Sequence, residues 1–315
     1  MQLRRLGASG LLVSELGLGC NNFGMRIGPE QACAVVDAAY EAGITLFDTA
    51  DVYGENHSET YLGAALGARR KDVIVATKFG SPIDGSPYRR GASRRWIIEA
   101  CEASLRRLGT DYIDLYQLHW PDPGAPLDET LRALDDLIIQ GKVRYVGSSN
   151  LCGWQIADAD WTARDLGLTR FVSTQNLLSL LERDAAKEVL PACERFGVGF
   201  LPYFPLASGL LTGKYRRGRA PPGDGRLANW GERGRQTLSD VNLDRVAVLT
   251  QWAEARGRSI LELAFAWLLH LAPVSSVIAG ATSPGQILAN VHASSAWRLD
   301  AQEVADLAVV LGSLN

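Results

Sequence analysis

Eight short apolar runs, separated by stretches with helical spacing, predict a closed barrel of eight parallel strands wrapped by helices, the (β/α)8 architecture. Three observations carry that expectation. Several runs are apolar almost throughout rather than alternating, as strands buried on both faces are. The segments between them carry apolar residues at helical spacing, and two of them stop on glycine. The chain has 315 residues, 47% of them apolar, a length that one such barrel reaches routinely. Residues 1–315 are therefore read as one domain. An open doubly wound sheet is the competing architecture, but no G-x-G-x-x-G follows the first strand.

In chain order, "QLRRLGASGLLVSEL" precedes the first barrel strand by a hairpin around Ala8-Ser9-Gly10, placed to plug the N-terminal mouth. With about fifteen residues ahead of that strand, no long N-terminal segment is expected. The eight strands are "LGLGC" (16–20), "ITLFDTA" (44–50), "VIVATKF" (73–79), "IDLYQLH" (113–119), "VRYVGSS" (143–149), "FVSTQN" (171–176), "VGFLPYF" (198–204) and "VSSVIAG" (274–280). "PEQACAVVDAAYEAG" and "LDETLRALDDLIIQG" are the two helices that end at glycine, the second opening on acidic residues that suit the helix dipole. Residues 205–240 are rich in Gly, Pro and Arg and show no period, which marks a long functional loop. "DAQEVADLAVVLGSL" closes the chain as a helix with an aspartate N-cap.

Composition narrows the function. The net charge of −3 advertises neither nucleic-acid nor membrane binding. Five widely spaced cysteines (20, 33, 101, 152 and 193), with no C-x-x-C pair, suit a reducing cytoplasm better than a disulfide framework. The N-terminus lacks the apolar core of a signal peptide, and no run is long and apolar enough to span a membrane. Four histidines (57, 119, 270 and 292) with no H-x-H motif argue against a metal-dependent hydrolase.

The strand ends carry the chemistry. A barrel of this class places its site at the C-terminal mouth. Successive strands bring Asp48, Lys78 and His119 to that rim, and Tyr53 follows on the loop after the second strand. Each has an ordinary alternative: a helix cap, a solvated lysine, a core histidine, a packed ring. Three ionisable groups ending three consecutive apolar strands are poorly explained that way, because buried charge is costly unless paired. A free phenol has a pKa of about 10, and a neighbouring ammonium lowers it. Lys78 is thus expected to tune Tyr53, with Asp48 holding Lys78 and His119 hydrogen-bonding a substrate oxygen. The set suits carbonyl reduction with Tyr53 as proton donor, and it needs a separate hydride source.

"FDTADVYGENHSE", "ATKFG", "LYQLHW", "VRYVGSSN" and "PYFPLASGLLTGKY", in this order along the whole chain, closely resemble the aldo-keto reductases. The resemblance implies a nicotinamide cofactor lying across the mouth and a catalytic tetrad of Asp48, Tyr53, Lys78 and His119. It further implies that Ser149, Asn150 and Gln175 grip the nicotinamide amide, and that Tyr203 stacks on its ring. "PLASGLLTGK" resembles the loop over the pyrophosphate, with Leu206, Ser208, Leu210 and Lys214 as contacts. Gly280, Thr282, Gln286 and Asn290 match the adenosine side. Many relatives carry an arginine or lysine there for the 2′-phosphate of NADP. Here Ser283 stands instead, and no Lys or Arg occurs between Val274 and Trp297. Hydroxyls, a helix N-terminus near Pro284, or Lys214, Arg216 or Arg217 could serve. NADP is favoured, with NAD as the alternative. Phe23, Trp120 and Trp230 are expected to wall the pocket of a small-molecule carbonyl substrate, plain packing being the alternative for each. A cofactor-responsive regulatory subunit, resembling channel β subunits, is the second functional reading. The substrate, the direction of reaction and the oligomeric state are not legible.

Overall fold

The computed structural model describes residues 1–216, 227 and 231–314. Two strands, β1 (Leu3–Arg5) and β2 (Leu12–Ser14), form an antiparallel hairpin. The barrel strands are β3 (Leu16–Gly19), β4 (Leu46–Asp48), β5 (Ile74–Phe79), β6 (Ile113–Leu118), β7 (Val143–Ser149), β8 (Ser173–Leu177), β9 (Gly199–Tyr203) and β10 (Val277–Gly280). Each pairs in parallel with its neighbour, and β10 closes the ring on β3 through Val277↔Leu16 to Gly280↔Gly19. The expected (β/α)8 barrel is present. Some strands are shorter than the apolar runs: β4 keeps three residues of 44–50, although the Thr49 and Asp51 N–H groups beyond it still donate to the Ala76 and Lys78 carbonyls of β5 at 2.8 and 3.1 Å.

The helices are α1 (Pro29–Glu41), α2 (His57–Leu66), α3 (Arg94–Leu108), α4 (Leu127–Ile139), α5 (Gly153–Leu166), α6 (Ala185–Phe196), α7 (Gly231–Thr237), α8 (Asp240–Glu254), α9 (Ile260–His270), α10 (Pro284–Ala296) and α11 (Ala301–Ser313). The two glycines read as helix stops are Gly43 (φ 81°) and Gly141 (φ 74°), both left-handed just beyond α1 and α4. Asp300 caps α11: its carboxylate accepts from the Glu303 N–H at 2.8 Å, and Glu303 reaches back to the Asp300 N–H at 3.0 Å.

The hairpin seals the bottom of the barrel. Leu6 and Val13 are fully buried against Leu46, Ala76, Leu115, Leu201 and Ile278. Burying one such leucine contributes about 1.5–3 kcal/mol. The Ala8 N–H donates to the Gly197 carbonyl at 2.8 Å, fastening the hairpin tip to the α6–β9 turn.

The described residues between 205 and 240 hold more order than their composition suggests. A 3-10 turn covers Ala207–Thr212, but left-handed Ser208 (φ 58°) and Gly209 (φ 102°) interrupt it, so no helical period survives. Seven-residue α7 is polar and too short to show one; its Glu232–Arg235 pair, at 2.6 Å, reinforces the turn. Among the described residues, no helix is long and apolar enough to cross a membrane.

Candidate active site

Side chains alternate along a strand, so every second residue of each barrel strand faces the interior. Leu46, Ala76, Leu115, Leu201 and Ile278 form the lower interior layer with the hairpin. Two residues further along the same strands come Asp48, Lys78, Gln117, Tyr203 and Gly280. The interior thus changes from apolar to polar within one side-chain step.

Asp48 and Lys78 are buried together, at 3% and 0% exposure. The Lys78 ammonium donates to Asp48 Oδ2 at 2.6 Å and to the Thr49 carbonyl at 2.8 Å. Asp48 Oδ1 accepts from Gln175 Nε2 at 2.9 Å and from Gln117 Nε2 at 3.3 Å. Such extra hydrogen bonds are what a buried ion pair needs to offset desolvation. Burial alone would push the Lys78 ammonium down, but Asp48 and Tyr53 together hold its pKa above the ordinary value.

Tyr53 rides on a tight turn. Gly54, Glu55 and Asn56 are all left-handed (φ 57°, 54° and 73°). A Cβ on Gly54 would stand 2.2 Å from the Phe23 carbonyl oxygen, so only glycine fits. The Lys78 Nζ lies 5.1 Å from the centre of the Tyr53 ring. Burial pushes the Tyr53 phenol up. Lys78 pulls it down through its charge and a side-chain hydrogen bond, and burial prevails, so the pKa is above 10.0. The sequence argument gave the ammonium the deciding influence; desolvation is the larger effect.

The His119 ring meets Tyr53 edge-on, with centroids 5.8 Å apart, and stacks on Trp120 at 6.1 Å. Its Nδ1 lies 3.1 Å from Ser81 Oγ. Burial, helped by the charge of Lys78, lowers its pKa to about 3, so the imidazole is neutral at ordinary pH. When the Ser81 hydroxyl donates to Nδ1, Nε2 carries the proton.

A cavity of about 340 Å³ opens over these groups, lined by Asp48, Tyr53, His119, Trp120, Ser149, Asn150, Gln175 and Tyr203 among others. The Tyr203 hydroxyl donates to Asn150 Oδ1 at 2.9 Å, Asn150 Nδ2 donates to the His119 carbonyl at 2.9 Å, and Ser149 Oγ donates to the Gln175 carbonyl at 2.7 Å. A second cavity of about 350 Å³ adjoins it and is lined by Leu206, Ser208, Lys214, Thr282, Gln286 and Asn290. Phe204, Pro205 and Gly280 belong to both walls. A Cβ on Gly280 would crowd Asn22 Nδ2 at 3.2 Å and Asn21 Oδ1 at 3.3 Å, so glycine suits this shared wall. Gln286 and Asn290, four positions apart, present one face of α10 to the second cavity, and Thr282, just ahead of the helix cap, joins them there. An elongated molecule with a ring at one end and a nucleoside at the other fits this pair of chambers. Exposed amides, hydroxyls and an aromatic ring are suited to a nicotinamide dinucleotide.

Two expected contacts stand elsewhere. Phe23 is fully buried in the main core, beneath the turn that carries Tyr53, because its carbonyl is pressed against Gly54; it is not a pocket wall. Leu210 is also fully buried and faces a separate cavity near Gln236 and Thr237, since the left-handed residues of the 3-10 turn rotate it inward. Trp230 and Arg217 lie outside the described residues. Gln117 and Ser81 were missed. The alternation Leu115, Gln117, His119 marks Gln117 as interior; Ser81 follows the strand end and leaves no such signal. Among the described residues, no group of three or more His, Cys, Asp or Glu gathers as a metal site.

Comparison with known proteins matches residues 15–311 to the model of the aldo/keto reductase family. A protein of Oryza sativa subsp. japonica, named as a probable voltage-gated potassium channel subunit beta, is 38% identical over 97% of this chain and 95% of its own length. The uncharacterized oxidoreductase YrpG of Bacillus subtilis (strain 168) is 36% identical over 93% of this chain and 91% of its own. L-glyceraldehyde 3-phosphate reductase of Escherichia coli (strain K12) is 33% identical over 100% of this chain and 94% of its own. With its barrel, its buried Asp–Lys pair and a family match across nearly its whole length, this chain belongs to the aldo/keto reductase family of oxidoreductases.

Proposed function

We propose that this protein reduces aldehyde or ketone carbonyls to alcohols with a nicotinamide dinucleotide, Tyr53 serving as proton donor. The observation that carries the reading is that Tyr53, His119 and Asp48 line one cavity, with Lys78 buried beneath and paired to Asp48. The dinucleotide supplies the hydride when bound. Tyr53 remains protonated at neutral pH, as an acid must, since its pKa stands above 10.0. It gives its proton to the carbonyl oxygen as that oxygen gains charge. The Lys78 ammonium stabilises the phenolate left behind. Neutral His119 donates an N–H to the same oxygen, a preformed donor where negative charge develops. Asp48 keeps Lys78 charged and in place. Ser149, Asn150 and Gln175 are suited to hold the carboxamide, Tyr203 to stack on the ring, and Thr282, Gln286 and Asn290 to hold the adenosine end. NADP is the favoured cofactor, with NAD as the alternative, and the medium is the cytoplasm.

Tyr53→Phe tests the role directly. Reduction of a reactive aldehyde is expected to fall by about 10²–10⁴-fold while dinucleotide binding persists. Near-normal turnover would remove Tyr53 from the mechanism.

A second reading, a dinucleotide-responsive regulatory subunit, draws on the relatives named as potassium channel β subunits. Tight dinucleotide binding with no turnover across a broad panel of aldehydes and ketones would favour it.

A further inference from the structure

The loop that carries Tyr53 serves two cavities. Tyr53 lines the mouth, whereas Asp51 and Asn56 line a third cavity of about 610 Å³, which Ile83 and the α3 residues Trp96, Ala100 and Ala103 wall with apolar surface. The two cavities share no lining residue. Asp51 is 1% exposed, yet no side chain pairs with either of its carboxylate oxygens. A buried carboxylate in that position is costly. Trp96 Nε1, in a residue 6% exposed, also lacks a partner. The charged groups around Asp51 are committed to others. Glu59 accepts from Thr77 Oγ1 and from Arg107 Nε, both at 2.6 Å. Lys78 donates to Asp48, and Arg89, Glu99 and Glu102 pair with Asp84, Arg95 and Lys142. Arg106 is exposed at the rim. Burial, then Glu59, push the Asp51 carboxyl well up, against the smaller pull of Arg107, the Val52 N–H and Lys78. The surroundings thus favour a positive charge at Asp51: a proton, or a cation brought by a ligand.

We propose that this third cavity binds a small organic cation, whose charged nitrogen pairs with Asp51 and whose apolar body packs on Trp96, Ala100 and Ala103. The site is separate from the mouth and does not depend on the reductase reading. An ammonium or amidinium gives the unpaired carboxylate the charged donors that it lacks. The Trp96 ring adds a face that attracts a cation. The incoming cation displaces the proton of the Asp51 carboxyl, which passes to solvent, so binding strengthens as pH rises.

The test is calorimetric titration of the purified full chain with benzamidine, a flat cation on an apolar ring, and with benzamide, its neutral counterpart. Benzamidine should bind at least about tenfold more tightly than benzamide. Repeating the titration near pH 6 in buffers of different ionisation enthalpy should show release of about one proton per benzamidine bound. Affinity should rise severalfold from there to about pH 8. Saturating NADPH should leave it unchanged, because the cavities are distinct. Asp51→Asn keeps the shape but cannot carry the charge; it should weaken benzamidine by at least about tenfold and benzamide by less than about twofold. Should that variant fail to fold, Ala103→Phe, which fills the cavity from α3, should abolish benzamidine binding. No binding, equal affinity for the two probes, insensitivity to pH, insensitivity to the substitutions, or displacement by NADPH would each overturn the assignment. Absence of carbonyl reduction would defeat the reductase reading and leave this site standing, since no part of the test uses turnover.

Discussion

The two interior layers of the barrel differ by one side-chain step and by everything else. Below, Leu46, Ala76, Leu115, Leu201 and Ile278 close on Leu6 and Val13 of the hairpin. Above, the same strands present Asp48, Lys78, Gln117, Tyr203 and Gly280. The lower layer needs only volume and apolar surface. The upper layer holds a charge pair whose desolvation is offset only because Asp48 accepts from three donors at once. Stability and chemistry are thus stacked along the same strands, and a substitution should betray which layer it belongs to by what it damages.

Lys78→Met, which makes the upper layer resemble the lower, should have the largest effect and strike both properties. Reduction should fall by about 10²–10⁴-fold, measured as kcat for a reactive aldehyde. Because Asp48 is left buried without its cation, stability should also drop by about 3–5 kcal/mol in urea unfolding. Lys78 lowers the Tyr53 pKa, so its removal raises that pKa further. The phenol then stays protonated to higher pH, and the alkaline fall in residual rate should move upward. An unmoved alkaline limb would mean that Lys78 acts by position alone.

Leu6→Ala sits at the other extreme. Removing a fully buried leucine from the plug should cost about 2–5 kcal/mol of stability. Activity per folded molecule should be unchanged, because Leu6 packs with the lower layer. A fall in kcat at temperatures where the variant remains folded would show that the layers are coupled and break the comparison.

How much of this could be read beforehand follows the same division. Buried parallel strands are apolar on both faces, so their runs stand out without any alignment, and a charge at the end of such a run stands out with them. Asp48, Lys78 and His119 were visible for that reason. Gln117 was not, because a neutral amide two residues before a histidine raises no cost that demands explanation. Phe23 and Trp120 were both read as pocket walls; Trp120 lines the cavity, whereas Phe23 is held in the core by a turn geometry that Gly54 alone makes possible. The net direction of the Tyr53 pKa was equally hidden, since burial has no linear signature.

Ser81→Ala should give the smallest effect and is the sharpest test of how the rim is set. Its hydroxyl lies 3.1 Å from His119 Nδ1, and when it donates there the ring proton stays on Nε2. Losing one neutral hydrogen bond of about 1 kcal/mol should lower kcat/KM by about fivefold, with dinucleotide affinity unchanged. The pH profile carries the distinguishing information. His119 titrates near 3, so between pH 5 and 8 it contributes no inflection in the unaltered protein. Below that window it would acquire charge, lose its place beside the Lys78 ammonium and depress the rate. The Ser81 variant keeps the burial and the Lys78 charge that hold the imidazole neutral, so its profile from pH 5 to 8 should remain as flat as before. A new inflection near 6.5 would mean that the hydroxyl, rather than desolvation, keeps His119 uncharged.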